Sequence, residues 1–293
     1  MIASWTGQLV GAMHNANVSA RQLADYMGLT PEYVSMVLNG KKTPKGAEER
    51  FRTALREMCA DQYYNDATYN VMYVDSHDYA PEQPDEKSRF AGGTQTWAEN
   101  LDLMFTFRGI PCVYYGSEVE FQKGAVIDVG PNAPLSTTGR AYYGDYLEGN
   151  VTATDFSEYT ASGTVAETLA SPLSVHLSKL NAIRRAIPAL QKGQYTASES
   201  YVTGGDMSYI RRYTSAEDGI DSLALVTVSS GATFKNIPNG RYVDAVTGDV
   251  QNVTNGTLTV SDIGKANMRV YVCCANGFTG IDGQIGGTSS FLK

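Results

Sequence analysis

Residues 69–75 read Tyr-Asn-Val-Met-Tyr-Val-Asp, an apolar run of strand length, and lead straight into Ser76, His77 and Asp78. A His–Asp pair just past a buried strand lies at the edge where α/β proteins place their chemistry. An imidazole and a carboxylate there suit proton transfer or the gripping of a polar ligand. The stretch from Val71 to Asp78 also reads as a plain strand end closed by a capping Asp. Further acids lie downstream at Glu118, Glu120, Asp145, Glu148 and Asp155, but nothing in their spacing pairs them with Asp78.

The second informative stretch is residues 21–44, RQLADYMGLTPEYVSMVLNGKKTP. Ala24 is small where two helices must touch. Gly28, four residues on, suits a turn that needs positive φ. Leu23, Met27, Leu29, Val34 and Val37 form an inner face. Thr30, Glu32, Tyr33, Ser35, Met36 and Asn39 point outward, with Lys41, Lys42 and Lys45 just beyond.

The elements that must carry these residues follow from periodicity and punctuation. Trp5, Leu9 and Met13 recur every fourth residue. Ser19 is placed to cap a helix, and Thr30 another with Pro31 at its first position. Phe51, Leu55 and Met58 mark a fourth apolar stripe. A helix is predicted from about Thr94 to Arg108, on Trp97, Leu101, Met104 and Phe105. Gly109 then leads into a second buried-strand pattern, IPCVYYG. Residues 122–170 form a long polar stretch, and a helix follows at about 172–187 on Leu173, Leu177, Leu180, Ile183 and Ile187. From 192 onward, SYIRRYT, DSLALVTVS, GRYVDAV, GTLTVSD and NMRVYVCC read as short strands between turns. The tail NGFTGIDGQIGGTSSFLK is Gly-rich and expected to be loose. The adjacent Cys273 and Cys274 should face opposite ways on a strand.

The expected fold class is therefore mixed. An all-α bundle covers 1–59, an α/β segment 60–191, an antiparallel β-sandwich 192–277 and a Gly-rich tail 278–293. Of 293 residues, 42% are apolar and 18% charged, which excludes a disordered chain. No apolar run reaches the ~18 residues of a membrane span. Four cysteines at irregular spacing give neither a disulfide framework nor a zinc site. The first ten residues lack a signal peptide's basic start and apolar core, so a cytoplasmic location is expected. The net charge of −8 is uneven. Residues 1–59 carry seven Lys/Arg and five Asp/Glu, a net +2, leaving −10 for the rest. A nucleic-acid partner is conceivable only for the first segment.

Two resemblances follow from these motifs. Residues 1–58 resemble the DNA-binding helix-turn-helix of the phage-repressor type. That resemblance implies that the helix from Thr30 to Asn39 enters the major groove. Thr30, Glu32, Tyr33, Ser35 and Asn39 would then face DNA, Lys41 and Lys42 would approach phosphates, and a dimer through the helical domain is conceivable. A helical bundle without DNA is the alternative, and no outward Arg or Gln supplies a base-reading fork.

The succession YVDSHD, RGIPCVYYGSE, PLSTTGRAYYGDYLEG and HLSKLNAIRRAIPALQKGQY, followed by a β-domain, resembles the α-amylase family of glycoside hydrolases. It matches the last two units of a (β/α)8 barrel plus the C-terminal β-sandwich, an incomplete barrel. The resemblance implies an α-1,4-glucan substrate of the starch type. His77 would contact substrate hydroxyls, and Asp78 would be the third carboxylate, stabilising an oxocarbenium-like transition state. Asp75 would support the motif, and Tyr73 and Val74 would be buried in the strand. Arg108, Gly109, Pro111, Tyr114, Tyr115 and Gly116 would build the final strand. No cofactor is expected; calcium is common in the family, but the region implicated precedes what this chain contains. Relatives are often exported. The nucleophile and general acid, which must lie about 5 Å apart in a retaining enzyme, belong to earlier strands with no counterpart here. Catalysis by this chain alone is therefore not expected. The alternative is a sequence-specific DNA-binding regulator with a carbohydrate-related C-terminal part.

Overall fold

Local caps set the first helices. In this computed structural model, Ser19 Oγ accepts from the Gln22 amide at 3.2 Å, and Gln22 Oε1 accepts from the Ser19 amide at 2.8 Å. This reciprocal capping box starts α2 (Ala20–Met27). Gly28 ends it at φ 64°, a left-handed conformation that other residues adopt only with strain. Thr30 Oγ1 accepts from the Tyr33 amide at 3.2 Å and opens α3 (Pro31–Leu38), with Pro31 in the first turn. The structure describes residues 4–15, 18–58, 69–76, 88–127, 134–155 and 158–293.

The chain divides into two units, Met1–Asn65 and Asp66–Lys293. In the first, α2 and α3 pack with α1 (Ser4–Asn15) and α4 (Ala47–Met58). Leu9, Met13, Leu23, Ala24, Val34, Val37, Phe51 and Leu55 are buried together and form a core of this unit's own residues.

The second unit begins with β1 (Val71–Met72), paired in parallel with β2 (Ile110–Pro111). Between them runs α5 (Thr94–Thr106). Gly109, at φ 94°, turns the chain into β2, and a Cβ there would strike the carbonyl of Asn70. A hairpin of β3 (Asn150–Asp155) and β4 (Glu158–Ser162) follows. Next come α6 (Thr164–Ala170), α7 (Pro172–Ala186) and α8 (Pro188–Lys192). Ser171 caps α7 through its hydroxyl, which accepts from the Ser174 amide.

The remainder is antiparallel. It comprises β5 (Gln194–Thr196), β6 (Val202–Thr203), β7 (Ser208–Ser215), β8 (Ile220–Val228), β9 (Ala232–Lys235), β10 (Gly240–Asp244), β11 (Val250–Val253), β12 (Thr257–Val260) and β13 (Met268–Cys273). Six strands form one sheet in the order β11-β10-β13-β8-β7-β5, and three form another, β12-β9-β6. Leu223, Leu225, Tyr242 and Tyr271 of the larger sheet share a core with Phe234, Leu258 and Val260 of the smaller. On its opposite face, Ala224, Val226, Val228, Val270 and Val272 join Trp97, Leu101, Leu177, Leu180 and Ile183 of the helices. Among the described residues no closed barrel forms.

Four sequence-based expectations are corrected. The cut near residue 192 does not separate two cores, because β8 and β13 are buried on both faces; their apolar runs are continuous where a one-sided sheet would alternate. The Gly-rich tail is not loose. Leu292 is 4% exposed, and Ile281, Ile285 and Phe291 pack on the helical side of the core. Tyr73 is 53% exposed, because among the described residues β1 has one neighbouring strand and stops at Met72. The final strand is Ile110–Pro111 only. Tyr114 and Tyr115 stand past it, with ring centroids 4.5 Å apart, and Gly116 turns at φ 80° into a short 3-10 turn, Ser117–Val119.

Candidate functional site

Asp75, just past β1, is 4% exposed although it is a carboxylate. Burial of that kind requires partners. The guanidinium of Arg89 supplies them: Nη2 lies 3.0 Å from Asp75 Oδ2 and Nε donates to the same oxygen at 3.1 Å. The Ser76 amide donates to Oδ1 at 3.0 Å, and Ser117 Oγ donates to Oδ2 at 3.3 Å. Burial pushes the Asp75 carboxyl above its ordinary value, while Arg89 and the hydrogen bonds pull it back.

Arg89 Nη2 and the guanidinium face have further partners. Its Nη2 also donates to the Tyr115 carbonyl at 2.9 Å and to Ser117 Oγ at 3.2 Å. Its carbon centre lies 4.6 Å from the Tyr114 ring centroid and 5.8 Å from that of Phe121. Trp97, on α5, donates its indole N–H to the Ser117 carbonyl at 2.8 Å, and its ring lies 4.4 Å from that of Phe90, tilted by 36°. Thr94 Oγ1 donates to Glu120, and Lys123 Nζ lies 2.6 Å from Glu120 Oε1. A cavity of about 10 Å³ remains among Asp75, Arg89, Trp97, Ser117 and Glu120. That is the space of one water and too small for a sugar. Arg89 Nη1, buried and without a hydrogen-bond partner, is a donor such a water would satisfy.

Asp75 and Arg89 therefore hold each other in a buried ion pair. They are the two ends of the chain segment that carries His77 and Asp78, and their ion pair ties those ends together. His77 and Asp78 themselves lie outside the described residues. Arg89, Trp97 and Ser117 went unnoticed as site residues in the sequence. A lone Arg before a Phe carries no local signal, and its meaning comes only from its partner fourteen positions upstream. Among the described residues, no group of three or more His, Cys, Asp or Glu is placed to hold a metal ion. No described helix is long and apolar enough to cross a membrane.

In the first unit, Thr30, Glu32, Ser35, Asn39, Lys41 and Lys42 are exposed, and Tyr33 is half-buried. Several are already engaged locally. Thr30 serves as the cap of α3. Asn39 Nδ2 donates to the Ser35 carbonyl at 2.9 Å and to its hydroxyl at 3.2 Å. Lys42 Nζ sits 5.0 Å from the Tyr33 ring centroid. Ala24 and Val34 lie buried where α2 and α3 meet.

Comparison with known proteins points one way. The Beta/alpha-amylase of Paenibacillus polymyxa is 23% identical over 226 residues, covering 74% of this chain and 16% of that protein. The α-amylase of Streptomyces lividans is 32% identical over 148 residues, covering 46% of this chain and 15% of that protein. A solved Anoxybacillus α-amylase superposes with a TM-score of 0.46 at 14% identity, covering 76% of this chain and 42% of that one. No family model matches the chain. The chain spans about a sixth of the length of the curated relatives it matches. Over about three quarters of its length, this chain is similar in sequence to the α-amylases.

Proposed function

We propose that the unit Asp66–Lys293 is an α-glucan-handling part of α-amylase type, and that this 293-residue chain by itself does not hydrolyse α-1,4-glucans. The observation that carries the first half is the sequence similarity to α-amylases over most of the chain. The ion pair of Asp75 and Arg89, which flank His77 and Asp78 in the sequence, supports it. In this reading His77 contacts sugar hydroxyls, and Asp78 stabilises positive charge developing at the anomeric carbon. The second half rests on chemistry. Retaining hydrolysis needs a nucleophile and a proton donor about 5 Å apart, and one carboxylate cannot perform both roles. Each missing role costs orders of magnitude in rate. The test is release of reducing ends from soluble starch by the purified chain beside Asp78→Asn. Equal background from both is expected. Release that Asp78→Asn abolishes would mean the other carboxylates come from elsewhere, and would overturn the second half.

A second reading concerns the first unit: duplex DNA binding through α3. It is supported by α2 and α3 meeting at a left-handed Gly28 over buried Ala24, with Glu32, Ser35, Asn39, Lys41 and Lys42 exposed. Phosphate contacts dominate such binding and weaken with salt. Labelled-duplex anisotropy of the whole chain is expected to show binding at low salt, weakened by Lys41→Ala and Lys42→Ala. No binding at low salt ends this reading, and with it a DNA-binding regulator.

A further inference from the structure

From Tyr69 to Val74 exposure alternates residue by residue. Met72 and Val74 turn to the helical side and pack on its core. Tyr69, Val71 and Tyr73 turn the other way and are 74%, 59% and 53% exposed. The register sets Ile110 beside Val71, and it is 46% exposed. Cys112, whose amide donates to the Met72 carbonyl at 2.8 Å, falls on the same side as Ile110 and is exposed. The parallel pair β1–β2 thus has one covered face and one bare apolar face.

A face made for water would carry polar side chains at these positions. Parallel strands are apolar on both sides because both sides are normally buried. Left bare, such a face gains free energy from any partner that removes it from water. Charge narrows the choice of partner. Residues 69–74 and 109–115 contain no Asp, Glu, Lys or Arg. The adjoining Asp75 and Arg108 are buried, and Asp75 is paired with Arg89. Residues 60–293 carry a net charge of −10. Two copies of the chain therefore carry like net charge, yet at this face they meet without setting like charges against each other.

The area also fits a second copy. A specific interface needs about 1,000 Å² in total, or about 500 Å² from each partner. Two tyrosines, each offering ~150–250 Å² when fully bared, supply an area of that order at these exposures together with Val71, Ile110 and Cys112. Turned about a two-fold axis, the face meets the same uncharged side chains on its copy. We propose that two copies of this chain pack face to face through the bare side of β1 and β2, burying Tyr69, Val71, Tyr73, Ile110 and Cys112 of each. The contact requires neither glucan nor DNA.

Light scattering of the full chain tests this. At about 100 μM it is expected to give twice the monomer mass, falling on dilution as a small interface dictates. Val71→Glu puts a charge on the face and should give one monomer mass at the same concentration, with hydrogen-exchange protection of α5 unchanged. Val250→Glu, at a 43% exposed position of β11, should remain dimeric. Cys112 gives a reading that needs no substitution. Its alkylation, followed by peptide mass, is expected to slow severalfold as the wild-type chain is raised from about 1 to about 100 μM. A monomer at 100 μM overturns the proposal and leaves the face to a different protein. A dimer that survives Val71→Glu, as one formed through the helical unit would, overturns it as well. So does a Cys112 rate indifferent to concentration.

Discussion

Arg89→Met is expected to destabilise the second unit by about 3–5 kcal/mol, the usual cost of removing one partner of a buried ion pair. The methionine fills part of the space but leaves the Asp75 carboxylate buried with, among the described residues, Ser76 and Ser117 as donors. It also releases the Tyr115 carbonyl and the faces of Tyr114 and Phe121. The effect has a pH signature. Asp75 is already raised by burial, and losing Arg89 raises it further, so the variant takes up a proton that the unfolded chain does not. Such a group contributes fully below its unfolded value and loses stability as pH rises through its folded value. The deficit of Arg89→Met should therefore be smaller at pH 5 than at pH 8. Asp75→Asn in the same chain should recover part of the loss at pH 8, because no buried charge is then left alone. The chain has two tryptophans. Trp5→Phe leaves Trp97, beside the pair, as the fluorescent reporter of urea unfolding. A deficit below about 1 kcal/mol at both pH values would place the pair among contacts worth little.

The second large effect is expected from Phe51→Ala in the first unit. Phe51 is 2% exposed, meets Trp5 edge-on at 6.3 Å and joins a core built from residues 9–55. Truncating a buried Phe to Ala costs about 3–5 kcal/mol. A unit of this size draws no more than about 3–5 kcal/mol from its core. The substitution should therefore leave α1–α4 largely unfolded at 25 °C. Hydrogen exchange is expected to show fast exchange across 20–55, with α5, α7 and β8 protected as before. Persistent protection of α2 and α3, or its loss in α5 and α7, would contradict the independence of this core.

What was legible in the sequence was local. The caps at Ser19 and Thr30, Pro31 in the first turn of α3, and the left-handed Gly28 act over four residues or fewer. The apolar stripes on α5 and α7 need only helical spacing to be seen. The α-amylase likeness was legible because several motifs occur in one order, and the sequence comparisons agree with it.

The rest required the chain to return on itself. Asp75 was noticed beside the His–Asp pair, but nothing near it named Arg89, Ser117 or Trp97 as its supports. The strands after residue 192 read as a separate sandwich, because a sequence does not say whether a second apolar face is covered. In the fold α5 and α7 cover it. The Gly-rich tail read as loose for a related reason. Its few apolar residues are too sparse to predict a partner, yet Leu292 and Phe291 find one in the helical layer. His176 Nδ1 and Ser289 Oγ lie 3.1 Å apart across 113 positions of sequence. Sequence by itself determined where α2 and α3 start and stop, because those choices are made by neighbouring dihedrals and caps. The tertiary structure alone decided which buried polar groups meet, because a charge leaves water only where distant segments bring it a partner.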